Sequence, residues 1–184
     1  MSLVLGYATK DIALIMSDGR AGIDGSYSEH YNKTLKINDN IILGFVGIVE
    51  GAEPFLQHTI EQMGTARNNY LIDDFLEMIE FFMDDSDTQK YFNSTLMIIG
   101  RDNKNNMHVA LVGNATSYKI ERNLVDTTRV LSIGGCIEGN IITDIFFENI
   151  LNQDLPVIVA MEKTISQASL LDNSINSNTF IVRI

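Results

Sequence analysis

The order in which hydrophobic periodicities follow one another constrains the fold of this chain more than any single motif. Short apolar runs typical of β-strands come first, apolar residues at helical spacing follow, and the same succession repeats before one last short strand. Two blocks of antiparallel strands, each with a pair of helices, bury all their apolar faces if the sheets stack and the helices cover the outer faces. The pattern therefore favours an α+β fold, with a four-layer αββα sandwich of two antiparallel sheets as one candidate among several.

Two hairpins of short apolar runs open the chain, so four strands are predicted before the first helix. We predict strands over 3–7, 12–16, 35–37, 41–46, 94–100, 107–113, 117–121, 129–133 and 179–183. We predict helices over 53–66, 70–84, 137–151 and 156–171. No linker rich in Pro, Gly or Ser divides the chain and no long internal period repeats, so residues 1–184 are predicted to form a single domain.

The charge of the chain argues against two classes of partner. Lysine and arginine number 13 and aspartate and glutamate number 24, which gives a formal net charge of −11. Such a surface repels phosphate backbones and anionic lipids, so we expect neither a nucleic-acid nor a membrane partner. No apolar run approaches the roughly 18 residues that a membrane-spanning helix requires.

The single cysteine and the N-terminal sequence indicate the cellular location of the protein. The single cysteine, Cys136, cannot form a disulfide within the chain, and the N-terminus lacks the basic region and cleavage site of a secretory signal. A cytoplasmic location is therefore predicted. Cys136 precedes a predicted helix, where it is either a thiol nucleophile activated by the helix dipole or, the interpretation that we prefer, a small buried residue.

The sequence contains no motif for a cofactor or a metal. Glycine-rich nucleotide-binding sequences are absent, and His30, His58 and His108 are far apart without paired ligand spacing. The acidic run over 84–87 lacks the glycine and glutamate of a calcium loop, so we interpret it as the solvated end of a helix. We expect no cofactor and no metal.

Three short motifs lie close together near the N-terminus. They are Ser-Asp-Gly-Arg-Ala-Gly over 17–22, the lysine-bearing segment 33–37 and Gly-Phe-Val-Gly over 44–47. In type and spacing they resemble the Asp-x-Arg turn, the lysine strand and the oxyanion segment of proteasome β-type subunits, in the N-terminal nucleophile (Ntn) hydrolase superfamily. Ser-Ile-Gly-Gly over 132–135 resembles the Gly-Ser-Gly turn of that family, and Asp172 lies where an Arg-Asp segment precedes its last strand. The resemblance spans the chain and implies the αββα fold.

The chemistry of such a site requires a base for the nucleophile. A hydroxyl must lose its proton, and the free α-amine of the same residue, with an ordinary pKa of about 8, is the nearest base. The resemblance makes Ser2 the candidate nucleophile once Met1 is removed. It implies that Lys33, held by Asp18, places a cation beside the developing alkoxide, and that the Gly47 N–H donates to the oxyanion. Taken alone, the lysine and the aspartate could also form an ordinary structural ion pair.

The resemblance also implies a substrate and an assembly. Gly22, Gly47 and Val49 would offer strand-edge backbone to an extended peptide or amide substrate, with Phe45 at the base of the first side-chain pocket. The family works in closed rings, and apolar residues such as Phe81 on the predicted helices look exposed. We therefore expect a symmetric homo-oligomer, possibly a ring.

Two positions depart from the family pattern. Gly135 stands where the family has a serine hydroxyl near the nucleophile, and Ile175 stands where the last loop has a hydroxyl residue. While Met1 is attached, the Ser2 nitrogen lies in a peptide bond and cannot act as a base, so that form is expected to be inactive. Two hypotheses follow: an Ntn amidohydrolase or peptidase that acts through Ser2, and a catalytically silent relative kept for self-assembly or ligand binding.

Overall fold

The strands and helices are taken from a computed structural model, which describes residues 2–23, 26–135 and 137–184. The strands are β1 (Leu3–Ala8), β2 (Ala13–Asp18), β3 (Ala21–Ile23), β4 (Ser26–Ser28), β5 (Thr34–Lys36), β6 (Ile41–Gly47), β7 (Ser94–Arg101), β8 (Met107–Gly113), β9 (Glu121–Leu124), β10 (Arg129–Gly134) and β11 (Thr179–Arg183). The α-helices are α1 (Val49–Met63), α2 (Ile72–Met83), α3 (Ser86–Tyr91), α4 (Gly139–Leu151) and α5 (Val157–Leu171).

The strands of the described ranges pair antiparallel and form two main sheets. One sheet has the order β10-β1-β2-β11, the other has the order β5-β6-β7-β8-β9, and β3 pairs with β4 as a separate hairpin. In the first sheet Val4 lies opposite Ser17, which places the start of β1 beside the end of β2. This register brings the N-terminal segment to Asp18.

Apolar side chains form three layers, because successive residues of a strand point to opposite faces of the sheet. The layer between the sheets includes Val4, Ile15, Ile42, Met97 and Val109. The layer under α1 and α2 includes Leu43, Phe45, Leu56, Phe75 and Leu96. The layer under α4 and α5 includes Leu3, Leu5, Met16, Phe146 and Met161. The sheets therefore stack on each other and the helices cover their outer faces, which confirms the predicted four-layer αββα sandwich.

The strands β2 and β6 are covered on both faces. All six residues of β2 are buried, as are the first six of β6. Strands buried on both sides read as continuous apolar runs instead of alternating ones. This explains why these two strands were recognisable from the sequence as uninterrupted apolar segments.

The helices differ from the predicted bounds at several ends. The first helix begins at Val49, upstream of the predicted 53, because the Ile48 carbonyl accepts hydrogen bonds from the N–H groups of Gly51 and Ala52. The second begins at Ile72, after a 3₁₀ segment over 64–69. The acidic run does not simply end a helix, since the carboxylate of Asp85 accepts from the Thr88 N–H and starts the short α3.

The predicted strand over 117–121 is wrong. Residues 114–116 form a 3₁₀ turn, and the strand begins only at Glu121. Ser117 and Tyr118 have φ values of 53° and 62°, a left-handed conformation that a strand does not contain. The Thr116 hydroxyl accepts from the Gly113 N–H and donates to the Gly113 carbonyl, which stabilises this turn.

Two further strands, β3 and β4, precede the first helix, so six strands stand there instead of the predicted four. They form the hairpin that continues from β2 beyond Asp18. None of the helices that the structure describes is long and apolar enough to cross a membrane.

Candidate active site

The candidate site is built around Asp18, the last residue of β2, which is fully buried. Its Oδ1 accepts a hydrogen bond from the Leu3 N–H at 2.8 Å, as the register of β1 and β2 requires. Its Oδ2 accepts from the N–H groups of Arg20 at 3.0 Å and Asn176 at 3.3 Å. Three backbone donors from three segments therefore hold this carboxylate in place beside the N-terminal segment.

Lys33 is the cation of the site. Its side chain is 1% exposed, and its Nζ donates to Asp18 Oδ1 and to the Arg20 carbonyl oxygen, each at 2.6 Å. The Lys33 carbonyl accepts from the Phe45 N–H at 3.0 Å, which ties the lysine to β6. Burial lowers the pKa of Lys33, and the adjacent Asp18 carboxylate opposes part of that shift.

Ser2 lies next to this ion pair. Its hydroxyl donates to the Arg20 carbonyl oxygen at 3.1 Å, and the residue is 6% exposed. The same oxygen accepts from Lys33 Nζ. The hydroxyl and the ammonium group therefore converge on one carbonyl, and the turn that follows β2 positions both of them.

Gly47 ends β6 with its N–H directed away from β7. The Ile48 N–H donates to the Asn93 carbonyl at 3.1 Å, and Gly47 lies opposite Ser94. In an antiparallel ladder this is a non-hydrogen-bonded pair, so the Gly47 N–H points to the side on which β6 pairs with β5. Gly47 has φ +123°, and a Cβ there would lie 2.5 Å from the Asn93 carbonyl oxygen, so only glycine fits.

A cavity of about 520 Å³ lies beside Ser2 and Gly47. Its walls include Ser2 from the N-terminal segment, Gly22 from β3, Gly47 from β6 and Gly134 from β10. Gly134 is in direct contact with the N-terminal segment, since a Cβ on it would lie 2.0 Å from the Ser2 carbonyl oxygen. Three glycines therefore line this cavity, and polar residues, Glu50, Asn93 and Asn114, add to its lining.

The structure brings Gly135, Asp172 and Ile175 together. A Cβ built on Gly135 would lie 3.6 Å from Asp172 Oδ2 and 3.4 Å from Ile175 Cδ1. Asp172 Oδ1 accepts from the Ser174 N–H at 2.8 Å. The two positions that depart from the family pattern are therefore neighbours, and an apolar side chain lies beside the position where a hydroxyl would stand on residue 135.

Of the three predicted substrate-binding residues, Gly22 lies in a strand and Phe45 lines a cavity. Gly22 lies in β3 opposite residue 27, and Phe45 lines a second cavity on the α1 side of β6. Val49 is the exception. It is the first residue of α1 and its side chain is buried in the layer under α1 and α2, because the chain turns into a helix directly after Gly47 and Ile48. The expectation that Val49 offers strand-edge backbone is therefore corrected.

Sequence reasoning missed Asn176, which lies far from the other site residues in the chain. Its Oδ1 accepts from the Gly19 N–H at 2.8 Å, and its Nδ2 donates to Glu29 Oε2 at 2.6 Å. Glu29 also pairs with Arg20, and the hydrogen bond from Asn176, followed by that from Arg20, lowers the pKa of Glu29. No local pattern marks this asparagine, because its partners come from distant segments.

Met1 and Cys136 lie outside the described residues. The proposed effect of retained Met1 and the buried position expected for Cys136 remain predictions.

The four-layer αββα sandwich is the fold of the N-terminal nucleophile hydrolase superfamily, and here it holds a buried lysine–aspartate pair beside the segment that precedes β1. A family model described as proteasome subunit matches residues 2–121, which is more than half of the chain. The chain belongs to the proteasome subunit family.

The solved structures agree on the fold. The crystal structure of eukaryotic HslV from Trypanosoma brucei is similar to this chain, with a TM-score of 0.72 over 98% of each chain and 14% sequence identity. No curated protein matches the sequence.

Proposed function

We propose that this chain is a proteasome-like N-terminal nucleophile hydrolase that cleaves an amide or peptide bond through Ser2. The form with Ser2 at the N-terminus is the active one. In a chain that retains Met1 the Ser2 nitrogen is an amide, which is not basic, so that form is inactive.

One observation carries this proposal. The Ser2 hydroxyl and Lys33 Nζ both donate to the Arg20 carbonyl oxygen, at 3.1 Å and 2.6 Å. Lys33 is at the same time paired with Asp18 at 2.6 Å and almost completely buried. A structural ion pair is stable without a hydroxyl at the same acceptor. A nucleophilic serine, in contrast, is activated by a nearby cation, which stabilises the negative charge on its oxygen.

The reaction divides between these groups. The Ser2 hydroxyl attacks the substrate carbonyl carbon, and its proton passes to the free α-amine of the same residue. Lys33 stabilises the negative charge on the serine oxygen, and its field is strong because the site is buried. The oxyanion of the tetrahedral intermediate accepts from the Gly47 N–H. The protonated α-amine then gives its proton to the leaving amine, and a water molecule hydrolyses the resulting ester.

The substrate lies along backbone edges in this proposal. Gly22 and Gly47 both line the cavity that contains Ser2. In this proposal an extended peptide adds as a strand along the backbone of these two residues. Phe45 lies two residues before Gly47 on β6 and marks where the adjacent side chain of the substrate enters.

The test compares three forms of the full chain. The first begins at Ser2, the second retains Met1, and the third begins at residue 2 but carries Ser2→Ala. Mass spectrometry establishes each N-terminus, and a panel of fluorogenic peptides measures turnover. We expect hydrolysis by the first form alone. Equal turnover by the first and third forms would refute Ser2 as the nucleophile.

A second candidate function, a catalytically silent scaffold, is favoured by Gly135 and Ile175. Neither side chain has a hydroxyl, and the structure places them side by side next to Asp172. If the chain is silent because these two hydroxyls are missing, the form that begins at Ser2 does not hydrolyse peptides. The double variant Gly135→Ser with Ile175→Ser then restores turnover. If the native chain already hydrolyses peptides, the scaffold function is refuted.

We further propose that the protein self-associates as a symmetric homo-oligomer in the cytoplasm. Phe81 on α2 and Phe147 on α4 are 73% and 37% exposed, and Leu151 and Leu170 are 74% and 83% exposed. Apolar surface of this kind on the outer helices favours contact with other copies. Light scattering at micromolar concentration tests the assembly, and a mass of 20.6 kDa, that of one chain, would refute it.

A further inference from the structure

A third cavity lies where α1, the end of α2 and α3 meet, and its volume is about 340 Å³. Cavities of roughly 300–1,000 Å³ are typical of sites that bind small molecules. Five of the nine residues that line it carry a ring, and none of the nine is Leu, Ile, Val or Met. The five residues of this aromatic cavity are Phe55, His58, Phe82, Tyr91 and Phe92.

The rings of the aromatic cavity stand at angles to one another. The Phe55 ring lies 4.7 Å from the Phe92 ring at 49° and 6.2 Å from the Phe82 ring at 83°, measured between centroids. The His58 ring lies 5.1 Å from the Phe82 ring at 60°. None of these three pairs is stacked in parallel, so the rings form separate walls instead of one closed stack. The face of an aromatic ring carries partial negative charge.

The backbone holds these walls in place. Phe92 is 2% exposed, and its N–H donates to the Thr88 carbonyl at 2.8 Å. A Cβ built on Gly51 would lie 2.4 Å from the Tyr91 carbonyl oxygen, so the first turn of α1 packs directly on the end of α3. The Tyr91 side chain itself is at the opening, since the residue is 69% exposed. The cavity is therefore formed without a ligand.

The charges around the aromatic cavity favour a cation. Among its lining residues, all of which the structure describes, Glu50 carries a carboxylate and none is a lysine or an arginine. The acidic run over 84–87 joins α2 to α3 beside it. Lys90 Nζ lies 5.3 Å from the centroid of the Tyr91 ring, so a cation of the chain already packs against one of the walls.

The scarcity of hydrogen-bond acceptors limits which cation fits. A primary ammonium brings three N–H donors, and a metal ion requires several oxygen ligands. The walls are mostly rings, and the Thr88 hydroxyl already donates to Asp85 Oδ2 at 2.9 Å. A quaternary ammonium group has no donor to leave unpaired, and its charge is attracted by ring faces.

We infer that the aromatic cavity binds a quaternary ammonium group, such as a small free solute or a trimethylated lysine side chain carries, with the charge against the rings of Phe55, Phe82 and Tyr91. Glu50 lines both this cavity and the cavity that contains Ser2, so the two adjoin at the first turn of α1. The inference itself does not depend on hydrolysis by Ser2.

The binding test uses two probes of the same shape. Choline and 3,3-dimethylbutan-1-ol differ in that a quaternary nitrogen replaces a quaternary carbon, so only the first is charged. Each is titrated into the full chain, and saturation-transfer NMR follows the methyl signal of the probe. We expect choline to bind about tenfold more tightly, as a cation over several aromatic rings does. Equal affinities, or no saturation transfer to choline, would overturn the inference.

Two variants that differ by one position locate the binding. Phe82→Leu keeps an apolar wall without a ring face, so it should weaken choline binding about fivefold and leave the binding of the alcohol nearly unchanged. The matched control is Phe81→Leu, since Phe81 is 73% exposed and does not line this cavity. Equal loss of choline binding in both variants would place the cation elsewhere and overturn the inference. If Phe82→Leu does not fold, Tyr91→Leu takes its place, because that residue is largely exposed.

A second pair of probes identifies the source of the quaternary group. Nα-acetyl-Nε-trimethyllysine amide and its unmethylated counterpart are titrated in the same way. Tighter binding of the trimethylated probe than of choline indicates a modified lysine side chain, and the reverse order indicates a free solute. Unmethylated lysine that binds as tightly as the trimethylated probe would refute the requirement for a quaternary group.

The inference and the proposed function fail separately. Choline binding by a Ser2→Ala chain, without turnover by any form, supports the aromatic cavity and refutes the hydrolase. Turnover by the chain that begins at Ser2, with equal affinity for choline and the alcohol, supports the hydrolase and refutes the ammonium site.

Discussion

Replacing Lys33 by Met removes the cation of the buried pair and keeps most of the side-chain volume. Asp18 then remains fully buried and loses its contact with Lys33 Nζ. Removing one partner of a buried ion pair destabilises proteins by about 3–5 kcal/mol. The backbone N–H groups of Leu3, Arg20 and Asn176 still donate to the carboxylate, so we expect the lower end, about 3 kcal/mol.

The assay is urea denaturation followed by circular dichroism. With a slope of about 2 kcal/mol per molar urea for a chain of this size, the midpoint should fall by about 1.5 M. The matched control is Lys36→Met, the same substitution at a lysine that pairs with exposed Asp39 at 2.8 Å and is itself 46% exposed. We expect this control to leave the midpoint nearly unchanged.

The pH dependence of the same pair of proteins gives a second measurement. Burial lowers the pKa of Lys33 in the folded state below its ordinary value of 10.5. The unfolded chain therefore holds this proton more tightly, and the burial penalty is relieved as pH rises through the folded pKa towards 10.5. The stability of the unaltered protein should increase relative to Lys33→Met over that alkaline range. A loss below about 1 kcal/mol, or a difference that falls as pH rises, would refute the account of a buried, charged lysine.

Three further outcomes are expected. Asn176→Ala should lower the free energy of unfolding by about 2 kcal/mol in urea denaturation, because the buried Gly19 N–H is left without its acceptor. Asn178→Ala, which loses only a bond to the Glu29 carbonyl, should lower it less. Equal losses would contradict the role assigned to Asn176. Gly134→Ala should lose about 3 kcal/mol or more, since its Cβ would lie 2.0 Å from the Ser2 carbonyl oxygen. Gly64→Ala, at φ +55° with nothing within 4 Å of the added Cβ, should lower the free energy of unfolding by only about 1 kcal/mol. If Gly64→Ala proves more destabilising than Gly134→Ala in a melting experiment, the contact of Gly134 with Ser2 is not tight.

The sequence by itself determined the order of the strand and helix blocks along the chain, and the four-layer sandwich followed only from the resemblance to a family. An uninterrupted apolar run such as 12–16 and helical spacing such as that over 72–83 are local properties, and a strand or helix that must be buried shows them wherever it lies. The same locality explains the errors. Left-handed residues at Ser117 and Tyr118 follow a turn stabilised by a side chain, and their apolar neighbours look like a strand in the sequence.

Some features of the candidate site could also be predicted from the sequence, and others could not. The spacing of Asp18 and Lys33 was visible in the sequence through its resemblance to a family, and the structure places their side chains 2.6 Å apart. The convergence of Ser2 and Lys33 on the Arg20 carbonyl was not visible, because a backbone oxygen has no signature in a sequence.

Only the tertiary structure showed which residues surround Ser2, Asp18 and Lys33. Asn176 reaches Gly19 across 157 positions, and Ile175 comes to lie beside Gly135. Residues of α1, among them Glu53 and Glu61, line a cavity together with residues of the segment that leads into β5. Such contacts depend on how sheets and loops close over long separations, which hydrophobic periodicity, a property of neighbouring residues, does not encode.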